Sequence, residues 1–183
     1  VSAPTSVSRR VEHCIQHLQR GEIEGALVDL FPAIDKTAKR RYPKHGVSKR
    51  IKGFIRDEEV VITAVGIGNI LKGNVIAGRT FEEAIYEFGR TSIAHEGELD
   101  PRLSFDPSGG LEIGRDHWNL PAGYIDGLVV AVVLAPENVH ERLDTNYGIT
   151  ALGRPFSVNS SWGKRDEMRK HICARLREPH LFD

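Results

Sequence analysis

The sequence predicts a mainly α chain: a helical bundle core over residues 7–99, with a small antiparallel β-hairpin element and further helices over 100–183. Three observations carry that reading. Apolar residues recur every three or four positions through most of the first hundred residues. The capping-box sequence Thr80-Phe81-Glu82-Glu83 opens a long periodic segment. After Gly97 the periodicity gives way to alternation around Gly- and Pro-containing turns.

Taken in order, Val7, Val11, Cys14, Ile15 and Leu18 mark one face of a first helix over Val7–Arg20, stopped by Gly21. Ile23, Leu27, Leu30, Phe31, Ile34 and Ala38 continue the period from Glu22 to Tyr42. Pro32 inside that run lacks a backbone N–H, so a kink or restart is expected there, and Pro43 ends the helix. A third helix is expected from Val47 or Ser48 to Arg56 and another from Glu58 to Ala64, followed by an irregular, Gly-rich stretch over 65–78. The capped helix runs from Thr80 to about Glu96, its inward stripe being Phe81, Ile85, Phe88 and Ser92, with Gly97 as a left-handed C-terminal cap. Leu103 and Phe105, the turn Pro107–Gly110, then Leu111 and Ile113 read as one hairpin; Ile149–Val158 around Gly153 reads as a second. Between them Pro121 opens a Val- and Leu-rich helix, Ala122–Leu134, buried on most sides. A last helix covers Trp162–Arg177, where Trp162 is a core or interface anchor. No composition shift marks a linker, so residues 1–183 read as one domain.

The 25 Lys+Arg balance 25 Asp+Glu, which excludes a globally basic nucleic-acid binder but leaves room for a locally basic face. Cys14 and Cys173 are too few and too distant in sequence for a disulfide framework or a paired-thiolate metal site, and point to a reducing compartment. The longest apolar run, Leu128–Ala135, falls far short of the roughly 18 to 20 residues a spanning helix needs. Val1–Arg10 lacks the apolar stretch of a secretory signal. The expectation is a soluble, cytoplasmic protein with no membrane partner.

Chemistry concentrates in Arg90-Thr91-Ser92-Ile93-Ala94-His95. RNA cleavage requires a 2′-hydroxyl to lose a proton, a phosphate to gather negative charge and a 5′-oxygen to leave. An imidazole moves protons near neutral pH and a guanidinium presents a planar donor set to phosphate oxygens, so no metal and no cofactor is required. "GRTSIAHEGE", together with "ALVDLFPAIDKTAKRRYP" over Ala26–Pro43, resembles the HEPN superfamily, whose hallmark is an Arg, four to six residues, then a His on a late helix. The likeness covers about Val7–Leu99. It implies a helical bundle that dimerises. In catalytic members it implies a metal-independent endoribonuclease that leaves a 2′,3′-cyclic phosphate and serves in phage defence or, beside a cognate antitoxin protein, in a toxin–antitoxin system. By position, Arg90 would bind the scissile phosphate and His95 would transfer protons. The residue after the Arg is commonly Asn, Asp or His in active members and here is Thr91. An acidic residue on the second long helix can orient the pair; of Asp29 and Asp35, Asp29 is the preferred candidate, since Asp35 begins the turn facing the basic run. The alternative is a non-catalytic HEPN-like module that binds RNA, nucleotide or protein, and a third class is a structural protein with His95 in its core.

Residues five apart on a straight α-helix differ by about 7.5 Å in rise and roughly 140° in rotation, so Arg90 and His95 would not share one face. Either Gly89 distorts the helix or a two-fold partner closes the site. The dimer is preferred, because it also supplies a second His.

Lys36, Lys39, Arg40, Arg41, Lys44, Lys49, Arg50 and Lys52, with Arg56, form a run without an acid, interleaved by Tyr42, His45 and Phe54. That composition suits RNA-backbone contact, and competes with the reading of a solvated helix end. His13 and His17 lack an obvious third ligand, so no metal site is expected. Gly66-Ile67-Gly68-Asn69 lacks the third Gly and the βαβ context of a dinucleotide fingerprint.

Overall fold

The computed structural model of the chain describes residues 5–182, so part of the Val1–Arg10 reading falls outside the described residues. The first helix, α1 (Ser6–Gln19), is capped by the Thr5 hydroxyl, which accepts the Val7 N–H at 3.2 Å. A three-residue turn leads to α2 (Ile23–Arg41), and the two helices pack against each other through Val7, Val11 and Cys14 on one side and Ala26, Leu27 and Ile34 on the other, all fully buried. The helix continues through Pro32 without a restart. Pro32 and Val28 lie on the solvent side, so the Val28 carbonyl, deprived of its usual donor four residues on, can meet water instead.

Helices α3 (Val47–Asp57) and α4 (Glu59–Ile67) follow, close to their expected bounds. The most deeply buried helix is α7 (Gly123–Leu134), whose uniform apolar surface matches its burial on nearly every side. Glycines let α4 and α7 approach backbone to backbone. A Cβ on Gly66 would lie 2.5 Å from the Gly123 carbonyl oxygen, and one on Gly127 would overlap the Ile62 carbonyl.

The Thr80 helix begins with the Glu83 carboxylate accepting the Thr80 N–H at 3.0 Å and ends at Gly97 with φ 80°, as the sequence predicts. Its interior differs from expectation. It is α5 (Phe81–Ala84), then a seven-residue π segment (Ile85–Thr91), then α6 (Ser92–Glu96). Two local features accompany the wider turn. Gly89 sits where a Cβ would be 2.8 Å from Phe31 Cζ of α2, and the Thr91 hydroxyl donates to the Tyr86 carbonyl, five residues back, at 3.0 Å.

The C-terminal half carries the small sheets, with one revision of their pairing. β1 (Leu103–Asp106), β2 (Glu112–Ile113) and β3 (Trp118–Pro121) form a sheet of order β1-β3-β2. β3 runs parallel to β1 and antiparallel to β2. The 103–113 hairpin is therefore not formed as expected: β3 takes the central place. Trp118 and Leu120 are almost completely buried, whereas Leu111 on the expected return strand is 44% exposed, so burial of β3 outweighs the local turn. The turn itself survives, with the Asp106 carboxylate accepting the Ser108 and Gly110 N–H groups. The second hairpin forms where expected, from β4 (Gly148–Ala151) and β5 (Arg154–Ser157) around Leu152-Gly153. Short α8 (Val158–Ser161) and α9 (Arg165–Leu176) close the fold, with Trp162 buried between them. The buried apolar residues of both halves join in one core cluster. No helix among the described residues is long and apolar enough to cross a membrane.

Candidate functional site

Where the π segment and α6 lie along α2, they leave a cleft of about 420 Å³. Val28, Phe31, Pro32 and Asp35 of α2 form one wall; Arg90, Ile93 and Ala94 form the other. Arg90, half-buried, is the cationic group of this cleft, and its guanidinium carbon lies 5.9 Å from the Tyr86 ring centroid. Lys52 Nζ of α3 stands 5.9 Å from the same ring, so Tyr86 has two cations beside it.

Asp35 does not neutralise Arg90. Its carboxylate is held by Arg50 of α3, Nε to Oδ1 at 2.6 Å and Nη2 to Oδ2 at 2.9 Å, a two-pronged pair. The hydrogen bond to Asp35, followed by that carboxylate's charge, raises the Arg50 pKa above its ordinary value. The Arg90 guanidinium has no ion pair among the described residues, and apart from Asp35 the side chains lining the cleft with it are apolar.

His95 lies in the last turn of α6, exposed and outside the cleft lining. The reading that puts it in the hydrophobic core is thereby corrected. The π segment ends one residue past Arg90, so the run from Arg90 to His95 is mostly α-helical and keeps most of the rotation that separates the two groups. Within one protomer they do not line a common pocket. Thr91, between them, has its hydroxyl engaged with the Tyr86 carbonyl and acts on the shape of the π segment.

Asp29 faces the opposite side of α2. It accepts from Arg10 at 3.2 Å and lies 3.9 Å from His13 and 3.7 Å from His17, all on α1. The acid at the Arg90 cleft is Asp35. Although Asp29 supplies a carboxylate beside the His13/His17 pair, no group of three His, Cys, Asp or Glu among the described residues could hold a metal ion.

The basic run divides in space. Arg40 reaches Glu141 at 2.8 Å and Asn138 at 2.6 Å. Arg41, over the Phe54 ring, is paired with Glu137 at 2.8 Å and with the buried Glu58 at 2.8 Å, and Arg165 joins Glu58 at 3.0 Å. Arg50 is held by Asp35, and Lys36 Nζ donates to the Ser6 hydroxyl at 2.5 Å. Lys39, Lys44 and Lys49 remain exposed, and Lys52 stays beside Tyr86. The cationic surface available to a polyanion is thus narrower than the sequence implies.

A family model described as Rv1289 matches residues 6–180. The chain belongs to the Rv1289 family. Relatives include uncharacterized proteins of Mycobacterium tuberculosis strain H37Rv and of Mycobacterium bovis, each 24% identical over 184 residues, spanning 91% of this chain and 88% of the relative. No solved structure matches the chain.

Tyr86, beside this Rv1289-family cleft, escapes the sequence reading although it has a usable signal, an aromatic residue four positions before an Arg on a helix. Asp35, the second choice of the sequence, is the acid in the cleft, and its nearness to the basic run is what brings it to Arg50.

Proposed function

We propose that this protein is a metal-independent endoribonuclease of HEPN type, working as a homodimer in which Arg90 binds the scissile phosphate and His95 moves protons. The observation that carries the reading is the state of the two motif side chains. Both are reachable from solvent on one interrupted helix, neither is tied up in an ion pair among the described residues, and Arg90 lines a cleft with largely apolar walls. A guanidinium in such surroundings acts more strongly on a phosphodiester than one in bulk water. The 2′-oxygen attacks phosphorus as its proton leaves to an imidazole, the P–O5′ bond breaks, and the 5′-oxygen takes up a proton, leaving a 2′,3′-cyclic phosphate and a 5′-hydroxyl. A second copy, bringing its own His95 toward the cleft, provides the imidazole that one protomer holds elsewhere. A cytoplasmic setting, a cognate antitoxin and a role in phage defence belong to the same proposal.

The test is RNA cleavage with a chelator present. Arg90→Ala and His95→Ala each abolish cleavage and leave the thermal transition unchanged; cleavage that survives either change removes the assignment.

The placement of His95 outside the Arg90 cleft favours a second reading, a non-catalytic module that binds RNA, nucleotide or a protein partner. RNA binding that persists in both variants, with no cleavage by any form of the protein, selects it.

A further inference from the structure

At the other end of the molecule the β4–β5 hairpin leans on the last turns of α9 and leaves a pocket of about 410 Å³. Its lining carries Arg154 from β5 and His171, Arg175 and Arg177 from α9 and its cap, with Leu152 and Gly153 of the hairpin turn. No acid lines it, and none of the three arginines has an ion-pair partner among the described residues. The Nε2 atom of His171 is buried and has no hydrogen-bond partner. Burial, then the charges of Arg154 and Arg175, hold the His171 imidazole below its ordinary pKa.

Arg154, Arg175 and Arg177 are exposed and share one sign of charge, and the backbone holds them at the same pocket. Three non-glycine residues among those described have left-handed φ angles, and two of them line this pocket, Leu152 at 54° and Arg177 at 58°. Leu152 and Gly153 form a two-residue hairpin loop with both φ angles positive, the geometry that Asn-Gly adopts without strain and that a leucine resists. Packing of Leu152 against the core holds the turn, and the turn fixes Arg154 toward α9. Strained backbone retained around converging cations suits a ligand site. An adjoining groove shares Arg154 and His171 and adds Lys164 and Glu167, which are paired to each other at 3.8 Å.

We propose that Arg154, Arg175 and Arg177, with His171 in the same lining, form a binding site for a phosphate dianion, the terminal phosphate of a nucleotide or of an RNA end. Three guanidinium forks match the oxygens of a phosphate monoester, and its charge relieves their mutual repulsion. The His171 nitrogen gains the partner it lacks. The site is separate from the Arg90 cleft and does not depend on the ribonuclease reading.

Calorimetric titration of the full chain with inorganic phosphate, with AMP and with 2′-O-methyl oligonucleotides bearing a 5′-phosphate or a 5′-hydroxyl tests this. Phosphate and AMP bind saturably, and the Arg154→Gln/Arg175→Gln double variant weakens both by about tenfold or more. Arg177→Gln alone weakens them in the same direction. The His171 ring resonances move on phosphate addition in the wild type and stay fixed in the double variant. The cleavage assay reads Arg90 and His95 and the phosphate titration reads Arg154 and Arg175, so the two proposals fail separately. A 5′-phosphate oligonucleotide that binds more tightly than AMP assigns the RNA end, and equal binding assigns the free nucleotide. Absence of saturable phosphate and AMP binding overturns the proposal, as does equal affinity in a double variant whose circular dichroism matches the wild type.

Discussion

The two basic regions of this protein are built in opposite ways. Between Lys36 and Arg56 the cations crowd the sequence and are largely answered in space: Arg40, Arg41 and Arg50 meet Glu141, Glu137, Glu58 and Asp35. Around the β4–β5 turn the cations are spread from Arg154 to Arg177, and the fold gathers them with no ion pair among the described residues. Linear charge density is therefore a poor guide to potential. A helix end dense in Arg and Lys meets acids brought by other elements, whereas a hairpin and a helix far apart in sequence can focus charge that no window of the chain displays.

Four measurements sharpen or break that contrast. The largest effect is expected for Arg41→Met, which leaves Glu58, 1% exposed, short of a partner: a loss of about 3 kcal/mol in urea unfolding. A loss below about 1 kcal/mol would mean that the first region is not neutralised as described. Next is Arg50→Gln, which releases Asp35 at the edge of the Arg90 cleft and costs about 1 kcal/mol. The third is a pH profile. Burial alone would raise the Glu137 and Glu141 carboxyls, but hydrogen bonds from Arg41 to the first, and from Thr5 and Arg40 to the second, outweigh it and hold both below their ordinary values. Depressed carboxyls contribute stability above their unfolded pKa and lose it as pH falls through the folded one. The wild type's advantage over Glu137→Gln/Glu141→Gln therefore shrinks as pH drops from about 5 to about 3. The smallest effect belongs to the second region: Arg154→Gln and Arg175→Gln, with no carboxylate to lose, change stability by less than about 0.5 kcal/mol. A loss above about 1 kcal/mol would make those arginines part of the scaffold.

The helices were legible because each buries one face and the period of that face is written in the apolar residues; the capping residues Thr80 and Gly97 fixed the ends of the motif helix. What the sequence could not convey were relations set by distant partners. Trp118 and Leu120 precede a helix, and nothing local announces that they form a central strand parallel to β1. Asp29 and Asp35 both read as acids on α2, yet six residues of helix turn them by about 240°, so one meets α1 and the other α3. Choosing between them requires knowing which helix covers which face. The π segment has a single local hint, Gly89, whose meaning emerges only once Phe31 is set against it.

That segment also gives the molecule a means of tuning phase. A π turn takes in one more residue than an α turn, so it rotates everything beyond it relative to everything before it. Removing one residue from 85–91 would restore ordinary helix geometry and swing Arg90 by about 100° against the anchored side of Phe81 and Ala84. The guanidinium would then leave its trough with scarcely any loss of helix, which makes angular offset, more than side-chain identity, the quantity this stretch of chain sets.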